Sequence, residues 1–132
     1  MPLSRRRRVT VINDSSDFVA LMAEALRDHE CEVTGFAAVQ VEFDEVVESR
    51  PDLLVVDLIL GSPEQQMGGW ELILLARSHR DLKHVPIILC SADLQTLRDR
   101  KEELAGMAGV HVLEKPFDLD DLDRLVERLL TP

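Results

Sequence analysis

The chain has 132 residues, of which 45% are hydrophobic and 30% charged, and its net charge is −10. This length suits one domain with a hydrophobic core, and the composition excludes a disordered or fibrous chain. No apolar run could cross a bilayer or form a secretory signal, so we expect a cytoplasmic protein that does not contact membranes. The acidic balance argues against direct binding to nucleic acid.

The start of the chain carries its one concentrated basic feature, the arginines at 5–8. A solvated tail accounts for them most simply, and a small docking patch is the alternative. We therefore assign residues 1–7 to a basic N-terminal tail and 8–132 to a single domain.

Two cysteines, Cys31 and Cys90, lie far apart in the sequence and have no metal-ligand spacing. Because the chain shows no export signal, reduced packing residues are expected here rather than a disulfide.

Short aliphatic or β-branched segments alternate with segments of helical periodicity along the whole chain. Strands are predicted at 8–12, 31–36, 53–57, 85–91 and 110–114. Helices are predicted around the apolar sets at 18–26, 39–47, 70–76, 94–107 and 118–130. Their predicted N-caps include Ser16, Asp93 and Asp118.

This order predicts an α/β domain with a doubly wound parallel sheet covered by helices on both faces. The uninterrupted aliphatic runs LLVV at 53–56 and IIL at 87–89 are typical of strands buried on both faces. In such sheets, ligands bind beyond the carboxyl ends of the strands, so the residues at those ends are the candidates for function.

Polar residues end or directly follow four of the predicted strands. They are Asn13 and Asp14, Asp57, Ser91 and Lys115, and the small residue Ala92 follows Ser91. Each alone is typical of a turn or a solvated surface. Together they bring two carboxylates, a hydroxyl and an ammonium to one edge. Burying this set is costly without a cation and an anion to complete the charge balance.

The chemistry of this set favours phosphoryl transfer. Asp14 and Asp57 offer the hard oxygen ligands that Mg²⁺ prefers. Asp57 is also a plausible nucleophile, since a carboxylate can accept a phosphoryl group. The Lys115 ammonium would offset charge on the transferring group, and Ser91 could donate a hydrogen bond to it.

The segments that carry these residues resemble the receiver domains of two-component response regulators, over residues 8–130. They are VIND at 11–14, LLVVDL at 53–58, GWEL at 69–72, PIILCSA at 86–92 and EKPF at 114–117. The resemblance implies a (βα)5 flavodoxin-like three-layer sandwich with strand order 2-1-3-4-5.

The resemblance also implies a role for each residue at the sheet edge. Asp57 would be the phosphoacceptor, with Ser91 as the switch hydroxyl and Lys115 on the phosphoryl group. Asp14, Asp57 and the backbone carbonyl of Ile59 would bind Mg²⁺ directly, and Asn13 would reach it through water.

The sequence departs from the family pattern in three places. Asn13 stands where the family usually has an acid, which predicts weaker Mg²⁺ binding. Val112 occupies the position of the signalling aromatic, beside His111, which we expect to be a packing or surface residue. The signal must then travel by another route, such as the loop after Ser91 or a shift of helix 94–107.

The third departure is a long segment at 58–69, directly after the predicted acceptor, with turn-forming glycines and a proline. A lid over the site, a partner contact and a tolerated loop insertion are all compatible with it.

The predicted function is that of a signalling phosphoacceptor rather than an enzyme. A sensor histidine kinase or a histidine phosphotransfer protein would donate the phosphoryl group from a phosphohistidine. Output would pass to a downstream protein through the face formed by residues 94–130, which could also form a homodimer. The sequence leaves open whether the chain is a stand-alone regulator or the receiver part of a longer protein.

Other functions compete with this prediction. A degenerate, phosphorylation-independent binding module is favoured by Asn13 and Val112. An aspartate-based phosphatase usually has a second acid two residues after the nucleophile, where this chain has Ile59. Flavin binding is disfavoured because no Gly/Ser/Thr-rich phosphate loop follows the first strand.

Overall fold

A computed structural model of the protein describes residues 7–13, 15–27, 29–36, 42–57, 69–91, 94–115 and 118–130. Within these ranges the chain forms five strands: β1 (Arg7–Ile12), β2 (Cys31–Phe36), β3 (Leu53–Asp57), β4 (Ile87–Ser91) and β5 (Val110–Glu114). They form one parallel sheet in the order β2-β1-β3-β4-β5. The predicted α/β class, the flavodoxin-like topology and the strand order 2-1-3-4-5 are confirmed.

The described ranges also contain six helices: α1 (Ser16–Arg27), α2 (Phe43–Glu48), α3 (Gly69–Ser78), α4 (Leu94–Asp99), α5 (Lys101–Ala105) and α6 (Leu119–Leu130). α1 and α6 cover one face of the sheet, and the other helices cover the opposite face. The result is the three-layer arrangement expected from strands that are apolar on both sides.

Two separate cores follow from the alternation of side chains along the strands. On β3, Leu54 and Val56 pack in the cluster that contains α2 to α5, whereas Leu53 and Val55 pack in the cluster that contains α1 and α6. All four side chains are buried. The sheet is therefore held from both sides, which fixes its carboxyl edge as a rigid platform for the site.

The segment predicted as one helix over 94–107 is two short helices, α4 and α5. They are separated by Arg100, whose φ of −104° and ψ of 11° lie outside the helical range. The prediction of a continuous helix was wrong because the amino acids of this segment favour a helix throughout, so the interruption has no local signal.

The N-cap predicted for α1 was also wrong by one residue. Ser16 is the first residue of the helix, and the side-chain oxygen of Ser15 accepts the hydrogen bond from the Phe18 amide at 3.2 Å. Two consecutive serines precede the apolar face, so the sequence pattern alone does not decide which of them caps the helix.

At α6, the carbonyl of Asp118 accepts hydrogen bonds from the amides of Asp121 and Leu122. Asp93 lies outside the described residues.

Several smaller boundaries differ from prediction. β1 includes Arg7, which the sequence assigned to the basic tail, and the division into tail and domain remains a prediction. β4 begins at Ile87 rather than at residue 85, and Gly69 belongs to α3 rather than to the preceding loop. In the parts of the chain that the structure describes, no helix is both long and apolar enough to span a membrane.

Candidate functional site

The strand register brings the predicted polar residues to one edge of the sheet. Ile12 of β1 pairs with Val56 of β3, and Asp57 pairs with Cys90 of β4. Ser91 of β4 pairs with Glu114 of β5. Asn13, Asp57, Ser91 and Lys115 therefore all lie at or directly after the carboxyl ends of four neighbouring strands.

The carboxylate of Asp57 is the centre of this arrangement. Its Oδ2 accepts a hydrogen bond from Lys115 Nζ at 2.6 Å and another from Asn13 Nδ2 at 3.2 Å. The Asp57 side chain is 12% exposed and that of Lys115 is 29% exposed. The ion pair is therefore largely shielded from bulk water, and the lysine side chain remains partly accessible from outside.

Asn13 is held in a fixed orientation by its own turn. Its side-chain Oδ1 accepts a hydrogen bond from the Ser15 amide at 2.8 Å, and its backbone amide donates to the carbonyl of Phe36 at 3.2 Å. The side chain is buried. These bonds leave its amide group directed at Asp57, so Asn13 supplies a hydrogen-bond donor where an acidic residue would supply a second negative charge.

Ser91 is buried at the end of β4, and it positions Lys115 through the backbone. The carbonyl of Ser91 accepts a hydrogen bond from the Lys115 amide at 2.8 Å. This bond extends the pairing of β4 and β5 by one residue beyond the strands. It fixes the point from which the lysine side chain reaches back to Asp57.

Phe18 also contributes to the site, although no sequence pattern pointed to it. The Lys115 Nζ lies 5.1 Å from the centroid of the Phe18 ring, a cation–π distance. Phe18 was predicted only as part of the buried face of α1. Its position one helical turn after Ser15 brings the ring to the sheet edge, where the Lys115 side chain reaches it from the end of β5, and only the folded structure could reveal this contact.

Cys90 lies within the sheet beside Asp57. Burial raises the pKa of its thiol to about 12, although the Lys115 ammonium acts in the opposite direction. The thiol therefore stays neutral at physiological pH and adds no charge next to Asp57. Cys31 is also buried, and burial raises the pKa of its thiol too.

Both cysteines are free thiols. They lie on β2 and β4, which are separated by β1 and β3. Three strand spacings of about 4.8 Å place them far beyond the Cα separation that a disulfide allows.

His111 and Val112, at and beside the position of the family's signalling aromatic residue, lie on β5. Val112 is 40% exposed and lines a groove of about 470 Å³ between β5 and the helices α4 and α5. His111 points to the other side of the sheet and is half-buried. Burial lowers its pKa, and the nearby Arg128 and Arg77 lower it further, which agrees with a packing role.

Three predicted site residues, Asp14, Ile59 and Ala92, lie outside the described residues, as does segment 58–68. The roles of these three residues therefore remain predictions. Among the residues that are described, no three histidine, cysteine or acidic side chains cluster in a way that could hold a metal ion.

Comparison of the fold with solved structures finds close likeness to receiver domains. The chemotaxis protein CheY4 of Vibrio cholerae aligns with a TM-score of 0.78 and 23% identity over 96% of this chain and 100% of that one. The receiver domain of a sensor histidine kinase from Pseudomonas aeruginosa PAO1, with a magnesium ion in its active-site cleft, has a TM-score of 0.73 and 25% identity. That alignment covers 95% of this chain and 98% of the other.

A response regulator protein from Burkholderia multivorans aligns with a TM-score of 0.66 and 27% identity, over 97% of this chain and 98% of the other. No curated protein matches the sequence at a significant level. Residues 9–127 match the family described as the response regulator receiver domain. This match includes the whole domain except the first two residues of β1 and the last three of α6, and the chain therefore belongs to the response regulator receiver domain family.

Proposed function

We propose that this receiver domain is a cytoplasmic phosphoacceptor that carries its phosphoryl group on Asp57. The observation that carries the proposal is the convergence of Lys115 Nζ and Asn13 Nδ2 on one carboxylate oxygen of Asp57, at 2.6 and 3.2 Å. A purely structural ion pair needs only the lysine. Here a carboxylate, an ammonium and an amide meet at the accessible edge of the sheet, which suits a group that gains negative charge.

The transfer would begin with attack by an Asp57 carboxylate oxygen on the phosphorus of a phosphohistidine. The new O–P bond forms as the P–N bond breaks, and the electron pair of that bond returns to the donor's ring nitrogen. Lys115 would offset the charge on the transferred group. The Ser91 hydroxyl would donate a hydrogen bond to a phosphoryl oxygen. The chain itself is then the acceptor, so we class it as a signalling protein and not as an enzyme.

The donor set at this edge fits Mg²⁺. Asp57 contributes a carboxylate, and Asn13 is an amide beside it, both hard oxygen-bearing groups. With Asp14 and the carbonyl of Ile59, which the resemblance assigns as further ligands, the site would have enough oxygens. Bound Mg²⁺ would neutralise negative charge on the phosphoryl group. Asn13 would act through water, since its Oδ1 already accepts the Ser15 amide.

The partners follow from the family. Receiver domains act with histidine kinases in two-component systems, so we propose a sensor kinase or a histidine phosphotransfer protein as the donor. The face formed by residues 94–130, which includes the groove beside Val112, is proposed to contact a downstream protein or a second copy of the chain.

One observation favours a second candidate, a binding module that works without phosphorylation. Val112 cannot act as a rotating aromatic ring, and its groove is open in the structure. The close contacts around Asp57 favour the phosphoacceptor instead, because a scaffold would gain nothing from burying that charge pair.

Intact-mass analysis after incubation with acetyl phosphate and Mg²⁺ tests the proposal. We expect one phosphoryl adduct that requires Mg²⁺ and is absent in Asp57→Asn. Lys115→Ala should slow adduct formation by on the order of 100-fold, as the loss of one charge-stabilising donor does at other sites. Lys83→Ala is the matched control, since Lys83 is exposed and lies far from the site.

The proposal fails if no adduct forms over a wide range of Mg²⁺ concentrations. In that case the binding-module candidate stands. An adduct that persists in Asp57→Asn would show that another residue is the acceptor.

A further inference from the structure

A tryptophan–arginine contact joins the two helical segments that follow the site strands. The Arg100 guanidinium carbon lies 4.6 Å from the centroid of the Trp70 ring. Trp70 is the second residue of α3 and packs, half-buried, against the core on that face. Arg100 Nη1 also donates to Glu103 Oε1 at 3.3 Å. The guanidinium is thus held between the ring and a carboxylate.

Arg100 is also the residue that separates α4 from α5. The segment 94–105 reads LQTLRDRKEELA, without glycine or proline and rich in good helix formers. Local preference therefore favours one continuous helix, and the interruption must be stabilised by a tertiary contact. The Trp70 ring provides that contact at the interrupted residue itself.

Two arrangements of this segment are then close in free energy. A continuous helix would gain backbone hydrogen bonds for the amides of residues 101–103, whereas the interrupted form gains the stacking of Arg100 on Trp70. The range for one cation–π contact overlaps the lower part of the range for three backbone hydrogen bonds, so the two gains can nearly cancel. An element balanced in this way responds to small changes elsewhere in the molecule.

The groove beside β5 depends on which arrangement is present. Its helical wall is formed by Leu97 and Arg98 before the interruption and by Lys101, Leu104 and Ala105 after it. Straightening the segment would rotate one set of these residues relative to the other. The shape of the groove and the position of its two cationic side chains would change together.

The contact also connects to the edge where Asp57 lies. α3 is the first described element after Asp57, and α4 is the first after Ser91. Trp70 and Arg100 therefore link the two segments that leave the neighbouring strands β3 and β4. A displacement of either segment at the site would alter the stacking.

We propose that Trp70, through Arg100, holds segment 94–105 in its interrupted form and so controls the shape of the groove beside Val112. Coupling of this control to Asp57 rests on the proposed function. The contact would provide a route by which a change at Asp57 reaches the groove. Such a route is needed here because the chain has valine at position 112, where the family has its signalling aromatic residue.

Amide hydrogen exchange on the full chain tests whether the contact holds the interruption. We expect Arg100→Gln and Trp70→Leu to slow exchange of the residue 101–103 amides by roughly three- to thirtyfold, the range equivalent to a cation–π contact. Trp70→Phe, which keeps a weaker ring, should give an intermediate value. Arg124→Gln removes the same charge from the exposed surface of α6 and should leave these amides unchanged. Equal exchange in Arg100→Gln and the unchanged protein would overturn the proposal.

Fluorescence tests the coupling to Asp57, because Trp70 is the sole tryptophan of the chain. Acetyl phosphate and Mg²⁺ should shift its emission in step with the adduct seen by mass, and Asp57→Asn should show neither change. An adduct without any change in emission or in residue 101–103 exchange would contradict the coupling. Failure to form the adduct would instead refute the proposed function, while the exchange comparison still decides whether Trp70 holds the interruption.

Discussion

The side-chain amide of Asn13 has two roles. It donates a hydrogen bond to Asp57, and it accepts one that stabilises its own turn. Nδ2 donates to Asp57 Oδ2 at 3.2 Å, and Oδ1 accepts the Ser15 amide at 2.8 Å. In the absence of a metal ion this arrangement is favourable, since it satisfies a buried polar group and partly offsets the carboxylate. A carboxylate in the same place would repel Asp57 until a cation was bound.

Asn13→Asp should therefore make the metal-free protein less stable and tighten Mg²⁺ binding. We expect a loss of about 1 kcal/mol, or roughly 4 °C in melting temperature, without Mg²⁺. The Mg²⁺ affinity, measured by calorimetric titration, should rise by roughly tenfold because a negatively charged group replaces a neutral one beside the metal site. Asn13→Ala is the control, since it removes the hydrogen bond without adding charge. Unchanged affinity in Asn13→Asp would exclude a role for this position in metal binding.

Cys90 shows how burial at the site affects stability at high pH. Its thiol titrates near 9.0 when unfolded, and burial raises its pKa to about 12 in the folded protein. Between these values the unfolded chain loses a proton that the folded chain retains, so stability falls as pH rises.

Urea denaturation at about pH 8 and about pH 10 measures this effect. The protein should lose about 1.4 kcal/mol more between the two conditions than Cys90→Ala, which lacks the thiol. Groups that titrate in both proteins cancel in the comparison. Equal losses would mean that the thiol is not shielded from water as the structure indicates.

At the scale of elements, the packing of α1 on β2 depends on the absence of a side chain at Gly35. A Cβ placed on Gly35 would overlap Val19 Cγ1 of α1. The helix can approach the edge strand only because glycine stands there, and this contact helps to place Phe18 and Ser15 at the site.

Gly35→Ala is expected to destabilise the fold by about 1–3 kcal/mol, because an added methyl group in a packed interface forces the helix away. Combining it with Val19→Ala should recover much of that loss. Gly106→Ala is the matched control, since its added Cβ would meet only ordinary contacts at 3.6 and 3.8 Å and its φ is −82°. Chemical denaturation distinguishes the three variants, and a stable Gly35→Ala would show that α1 can move without cost.

The elements also show what the sequence can and cannot determine. The strands were predictable because their aliphatic runs are long and bounded by polar residues, and their ends then placed Asn13, Asp57 and Lys115 at one edge. The interruption at Arg100 and the approach of Phe18 to Lys115 were not predictable, since both arise from contacts between residues distant in sequence. The cap at Ser15 was missed because Ser16 offers the same chemistry one residue later.

For the molecule as a whole, the net charge of −10 attracts cations, so the proposed Mg²⁺ binding should be measured against nonspecific attraction. If Mg²⁺ binds only the folded state, stability should increase by about 2.7 kcal/mol at a concentration one hundred times the dissociation constant. Thermal melts with MgCl₂, compared with NaCl at equal ionic strength, separate specific binding from screening. Asp57→Asn should lose most of the Mg²⁺-specific increase. An equal response to both salts would indicate screening alone.

The position of β1 inside the sheet, between β2 and β3, has a consequence for synthesis of the chain on the ribosome. β1 pairs with β2 on one side and with β3 on the other, and the Arg8 amide donates to Asp52, 44 residues later. β1 must therefore wait until β3 has been made before its second edge is covered, and β5, the last strand of the sheet in chain order, completes the sheet on the far side of β4. Such non-local pairing slows folding relative to helical domains of the same size. During that interval, the unpaired edge of β1 exposes Val9, Val11 and Ile12, which are buried in the folded protein, and such exposed apolar edges favour aggregation.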